Sequence, residues 1–194
     1  MKILHTADWH LGAKTLGKDR LEGQKRTLDE ICQIADKNDI DVVIVAGDIY
    51  NTSVPTANAE EVFYEYAEHL SKGGDRVVIV VSGNHDDPER LCAGLPLAYA
   101  HNIVLAGDLK PLEASRFAKD AKIKIIDAGK GFVKIKKGEE IANIAFLPFD
   151  STIKDRPNIE NISYSALVGE IAEEITKTVY DNNSSHRNAI HNIS

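Results

Sequence analysis

The sequence has little sulfur, little aromatic mass and no excess of positive charge. Its 194 residues include two cysteines, one methionine and one tryptophan, and aromatics make up 6% of the chain. Cys32 and Cys92 show no C-x-x-C spacing, which excludes a disulfide-stapled scaffold and a thiolate metal site; they read as buried thiols of a reducing, cytoplasmic compartment. No apolar stretch approaches the ~20 residues of a membrane span. Lys2–Thr6, followed by Asp8, reads as a short strand rather than a secretory leader. Basic residues number 23 against 30 acidic ones, a net charge of −7. A protein that holds nucleic acid by charge alone looks different. A polyanionic substrate would therefore need bound cations or a partner to attract it.

The remaining composition is that of a globular chain, 43% hydrophobic and 27% charged. One domain is the default at this length, since domains usually run to ~100–200 residues.

Strands and helices alternate through the first half. Lys2–Thr6 is strand-like, and Arg20–Asn38 is helical, with Leu21, Leu28, Ile31, Cys32 and Ala35 on one face. Asp41–Ala46 and Arg76–Ser82 are continuous apolar runs, as strands buried on both faces would be. Pro55–Ser71 carries Ala59, Val62, Phe63, Tyr66, Ala67 and Leu70 at helical spacing, and Gly73-Gly74 closes it. A helix over Pro88–Ala100 and a strand at Ile103–Ala106 should follow. This order predicts a parallel sheet covered on both faces. Lys122–Asp127, Phe132–Lys136 and Ile141–Leu147 then read as hairpin strands of a second sheet. An amphipathic helix spans Tyr164–Val179, and a polar, flexible tail is expected over 181–194.

Three polar clusters each follow an apolar strand: Asp8-Trp9-His10, Gly47-Asp48, and Gly83-Asn84-His85-Asp86. Polar groups at the carboxyl ends of adjacent parallel strands converge in one crevice. Asp, His and Asn donors suit a divalent ion of intermediate hardness, Mn²⁺ or a close relative. Asp8 and His10, two apart on an extended segment, should face one ion. Asp48 could bridge two ions, and Asn84 offers a neutral carbonyl to the second. Two ions at ~3.5–4 Å clamp a phosphodiester and activate water. His85, directly after a ligand, should face the substrate as general acid or as a positive group over the transition state. Turn and cap roles are the competing reading for such residues; it suits Asp86 and Asp87, which should orient neighbours or cap the next helix. His5 reads as a core histidine, and His69 and His101 as surface or packing residues.

The set D-x-H, G-D, G-N-H-D resembles that of calcineurin-like metallophosphoesterases. HTADWHLG, VVIVAGDIYNTSVPT, VVSGNHDDPERL and IAFLPF are similar to the SbcD-like branch of DNA-repair nucleases. The resemblance implies a four-layer α/β/β/α sandwich with two mixed sheets. It implies an enzyme with two Mn²⁺, acting as exonuclease and endonuclease on DNA ends, hairpins and single strands. It also implies a homodimer partnered by an SbcC-type ATPase, without a membrane. Asp8 and His10 match first-metal ligands, Asp48 the bridging carboxylate, Asn84 a second-metal ligand and His85 the catalytic histidine. The family pattern continues with a further histidine and a G-H-x-H motif, and neither occurs in these 194 residues. His186 and His191 read as tail residues. Residues 1–194 are thus expected to be the N-terminal part of a nuclease domain, with weak or incomplete metal binding. Asn51 stands where some relatives carry a histidine. Two alternatives are a phosphodiesterase for small or cyclic nucleotides and a non-catalytic dimerisation and partner-binding scaffold.

Overall fold

The structure, a computed structural model, describes residues 1–149 and 164–191. Strands β1 (Ile3–Thr6), β4 (Val42–Ala46), β5 (Val77–Val81) and β6 (Ile103–Ala106) form one parallel sheet in the order β1-β4-β5-β6. Helices α1 (Leu21–Lys37), α2 (Ala57–Ser71), α3 (Pro88–Cys92) and α4 (Leu95–Ala98) lie in the connections between these strands. A two-residue-per-strand hairpin, β2 (Lys14–Thr15) and β3 (Lys18–Asp19), precedes α1. Strands β7 (Lys124–Gly129), β8 (Phe132–Lys137) and β9 (Glu140–Ala145) form an antiparallel sheet, and α5 spans Tyr164–His191.

Each apolar pattern finds its own layer. Leu28, Cys32 and Ala35 of α1 and Val62, Phe63, Ala67 and Leu70 of α2 pack on Val43, Val45, Val78 and Val80. The alternate residues of the parallel strands, Val42, Ile79, Val81 and Val104, face Ile125, Val133 and Ile135 of the second sheet and Ile123 just before it. Phe132 meets Ile171 and Ile175 of α5 on the outer side. The order is therefore helices, parallel sheet, antiparallel sheet, helix. Burying each valine or isoleucine of β4 and β5 contributes on the order of 1.5–3 kcal/mol, so these continuous apolar runs anchor the centre of the fold.

Four expectations are corrected in detail. Among the described residues neither main sheet is mixed: one is wholly parallel and the other wholly antiparallel. The single helix expected over 88–100 is two short helices and a 3-10 turn, Tyr99–His101, because Gly94 precedes the second start and Pro96 lies in its first turn. His5 is exposed rather than in the core: β1 is an edge strand whose Ile3 and His5 side is left uncovered by the described residues. Pro55 lies before the helix, and Thr56 is the N-cap of α2, its hydroxyl accepting from Ala59 N–H. The backbone of α5 continues to His191, while its side chains from Asp181, and residues 192–194, lie outside the described set.

His69 is exposed and His101 half-buried. Burial, reinforced by Asp36 and Asp29, pushes the Cys32 thiol up to about 11. Burial also raises Cys92, against the N–H that Gly107 donates to its sulfur. Neither thiol has the lowered pKa of a reactive cysteine. No helix among the described residues is long and apolar enough to cross a membrane.

Candidate metal centre

The three polar clusters emerge at the carboxyl edge of the parallel sheet, and backbone pairing extends past the strands to hold them together. Asp8 N–H donates to Gly47 O at 3.2 Å, His10 N–H to Asp48 O at 2.9 Å, and Gly47 N–H to Val81 O at 2.9 Å. Leu11 N–H donates to Ile49 O, and Asn51 N–H returns to Leu11 O. The second loop is thus laced to the first on one side and to β5 on the other.

Asp8, His10 and Asp48 come together as one group, each offering a ligand atom within 4.8 Å of the others. The mechanism of convergence differs from the extended pleat expected. Strand β1 ends at Thr6, and Asp8 and His10 take left-handed backbone conformations with φ of 55° and 45°. Asp48 does the same at 47°. Such values are uncommon outside glycine, though Asp and His tolerate them better than most residues. A non-glycine residue there costs of order 1–3 kcal/mol, and the state persists because its surroundings impose it.

His10 turns Nε2 toward the carboxylates, 3.7 Å from Asp48 Oδ2 and 4.0 Å from Asp8 Oδ1. Its Nδ1 is buried without a hydrogen-bond partner among the described residues. Two carboxylates and an imidazole nitrogen form a hard-to-intermediate donor set, which fits a divalent cation.

The third loop is seated against Asp48. Asp48 Oδ1 accepts from His85 N–H at 3.1 Å. Gly83 lies so close that a Cβ there would meet Asp48 Oδ1 at 2.1 Å and Asp48 N at 2.2 Å. Glycine is required here for close approach. Asn84 is exposed in the turn between Gly83 and His85. The His85 ring stands edge-on to His10 with centroids 5.0 Å apart. Its Nδ1 is 2.9 Å from the carbonyl of Asn51, which can only accept, so Nδ1 carries a proton and Nε2 is left for other chemistry. Asn51 thus acts through its backbone, a contact its side-chain identity does not reveal.

Two residues support this arrangement. Asp86 is 7% exposed and accepts from three backbone amides: Gly83 and Ile49 at one oxygen, Tyr50 at the other. It ties the second loop to the third, and Asp87 caps α3 by accepting from Arg90 N–H. Burial raises the Asp86 carboxyl, the three amides oppose that rise, and Asp48 adds to it. Gln24, on α1, reaches the first loop; in the sequence it is one more polar residue on an amphipathic helix.

A layered α/β/β/α fold whose parallel strands deliver D-x-H, G-D and G-N-H-D to one edge defines a phosphoesterase architecture. The family profile described as calcineurin-like phosphoesterase matches residues 1–170, and the chain belongs to that family. Among curated proteins it is similar to the SbcD component of the SbcCD nuclease of Bacillus subtilis (strain 168), 47% identical over 107 residues, covering 55% of this chain and 27% of that protein. The protein of the same name from Staphylococcus epidermidis is 45% identical over 94 residues, 48% of this chain and 25% of the relative. That from Staphylococcus saprophyticus is 40% identical over 94 residues, with the same coverage of 48% and 25%. The chain matches about a quarter of the length of these relatives.

Proposed function

We propose that this chain carries the front of a metal-dependent phosphodiesterase site and that the substrate is DNA. The observation that carries the reading is the convergence of Asp8, His10 and Asp48 on one point, with the Asn84–His85 turn seated against Asp48. Asp8 and His10 would hold a first divalent ion, Asp48 would serve both ions, and Asn84 would contribute to the second. Divalent ions held there, Mn²⁺ in this proposal, would supply charge compensation for a phosphodiester and lower the pKa of a bound water. The protein's own groups orient the reaction. Asn51 O fixes the tautomer of His85 through Nδ1, so Nε2 is presented outward. A protonated His85 can donate from Nε2 to the departing oxygen or stabilise charge on the phosphoryl oxygens.

A local surplus of cations supports DNA over a small phosphodiester. Residues 14–26 include Lys14, Lys18, Arg20, Lys25 and Arg26 against Asp19 and Glu22, in a chain of net charge −7. This stretch begins four residues after His10, and Arg20 shares with Asp8, His10 and Gln24 a cleft of about 300 Å³. The likeness to nucleases points the same way. By the same likeness we assign an SbcC-type ATPase as partner and DNA-end and hairpin processing in repair as the role. The homodimer surface is assigned to α2 and α4, where Leu97 is 78% exposed and Tyr64 42%.

Calorimetric titration of the chain with Mn²⁺ tests the centre. Binding is expected to be weak and lost in D48A; a D48A protein that binds like the parent refutes the assignment. The substrate is decided by Mn²⁺-dependent turnover of linear DNA against bis(p-nitrophenyl) phosphate. Preference for DNA ends upholds the reading, and indifference to DNA favours the small-substrate alternative.

A further inference from the structure

We infer that Gln24 is a positioning residue for the metal centre: a clamp from the first turns of α1 that holds the Asp8–His10 loop in its left-handed form. This rests on Asp8 and His10 being ligands. Gln24 makes three hydrogen bonds, all to backbone groups of that one loop. Its Nε2 donates to Trp9 O at 3.0 Å and to His10 O at 2.6 Å, and its Oε1 accepts from Gly12 N–H at 3.2 Å. The amide is thereby saturated on its donor side, because Nε2 has two hydrogens and both are used.

The loop needs such a clamp. It carries two non-glycine residues at positive φ, Asp8 and His10, and then Gly12 at φ 82°. Its carbonyls at Trp9 and His10 turn away from the inter-loop pairing, in which His10 uses its N–H and not its C=O. Without Gln24 the His10 carbonyl would keep, among the described residues, its contact with Ala13 N–H alone. The other restraints are the rungs to Gly47, Asp48 and Ile49 and the buried Trp9 ring, whose Nε1 donates to Thr6 Oγ1 at 3.2 Å. The rungs act on the side of the loop that faces the second loop, and the Trp9 ring packs in the cluster that holds Leu28 of α1. Gln24 acts from α1, so the loop is gripped from two sides. The geometry of the His10 ring follows from its backbone, and Gln24 fixes that backbone one carbonyl away. No other side chain among the described residues has a hydrogen bond to His10 O.

Two substitutions separate the functions of the amide. Gln24→Met preserves length and removes every hydrogen bond. Gln24→Glu keeps the acceptor for Gly12 N–H and removes both donors at neutral pH, setting a carboxylate against two carbonyls. Amide hydrogen exchange of the metal-free chain is the first readout. Both variants should accelerate exchange at His10 N–H, which pairs with Asp48 O, while Gly47 N–H, which pairs with Val81 O, stays as slow as in the parent. A general loss of stability would speed both sites together, and that result overturns the proposal, as does a Q24E protein indistinguishable from the parent. The second readout is Mn²⁺ affinity by calorimetry, expected to fall ~10-fold or more, the usual loss when an outer partner of a ligand is removed. An H10A protein that retains full Mn²⁺ affinity would instead sink the ligand assignment, and the exchange result would still report on the clamp by itself.

Discussion

Gly83→Ala puts the closest contact of the site to the test. The added methyl would lie 2.1 Å from Asp48 Oδ1, 2.2 Å from Asp48 N and 2.8 Å from Asp48 Cγ. A carbon needs ~3.5 Å from such neighbours, so the third loop and Asp48 must separate by more than ~1 Å. The side chain alone cannot yield, because the backbone nitrogen is equally close. Separation stretches the His85 N–H bond to Asp48 Oδ1 and strains the amides that Asp86 gathers from both loops. Overpacking of this kind costs about 1–3 kcal/mol. For a chain of this size each kcal/mol lowers the melting temperature by roughly 2–4 °C, so a drop of several degrees is expected without metal. A misplacement of ~1 Å in a catalytic constellation also costs on the order of 100-fold in rate. Thermal melting in chelator measures the first effect and Mn²⁺-dependent phosphodiester turnover the second, while Mn²⁺ calorimetry reports on the ligand geometry itself. If G83A melts and binds Mn²⁺ like the parent, the loops are not packed as described and the reasoning fails.

Asp86→Ala leaves three inward-facing amides without an acceptor, at ~1–3 kcal/mol apiece. Chemical denaturation should show a loss larger than that of G83A, and a near-neutral result would contradict the bridging role. Asp41 is held below the ordinary carboxylate range: burial alone would raise it, but hydrogen bonds from Lys137 and from Lys2 N–H prevail. The stability it contributes is therefore present above the unfolded carboxyl value and lost as pH falls through the lowered one. Melting temperature measured over about pH 5 to 1 should fall less steeply in D41N than in the parent. Leu97→Glu places a charge on the most exposed apolar position of the α2–α4 groove. Sedimentation should show it monomeric where the parent dimerises, and an unaltered dimer would move the interface elsewhere.

Much of this architecture is legible in the residue pattern, for reasons that can be named. The runs Val42–Ala46 and Val77–Val81 are apolar at every position because both faces of the sheet are covered. Helix α2 shows its buried face at strict helical spacing. The three candidate clusters are visible because each follows a strand whose end is marked by polar residues. What the pattern hides is set by tertiary context. Alternation along β1 shows that His5 and Leu4 face opposite ways, but not that the side of His5 is left uncovered. The left-handed φ of Asp8, His10 and Asp48 leaves no mark in composition, since Asp and His are equally at home in ordinary turns. The hairpin at 14–19 is too short for any periodicity, and its turn residues, Leu16 and Gly17, both have positive φ although leucine is seldom found there. The carbonyl of Asn51 is a backbone group, so its side-chain type suggests nothing of its role, and the Gln24 amide bonds backbone groups of a loop at least twelve residues away, which no local spacing marks.

The lacing of loop to loop has a consequence for how the molecule comes apart. Asp8, His10 and Leu11 continue the pairing to Gly47, Asp48 and Ile49 beyond the strands, so the proposed cradle for a cation is the margin of the same fabric that makes the sheet. Denaturant should then erase cation capture and far-ultraviolet ellipticity at a single midpoint. Chains caught part-way along refolding should gain the capacity to capture metal only in the step that closes the sheet.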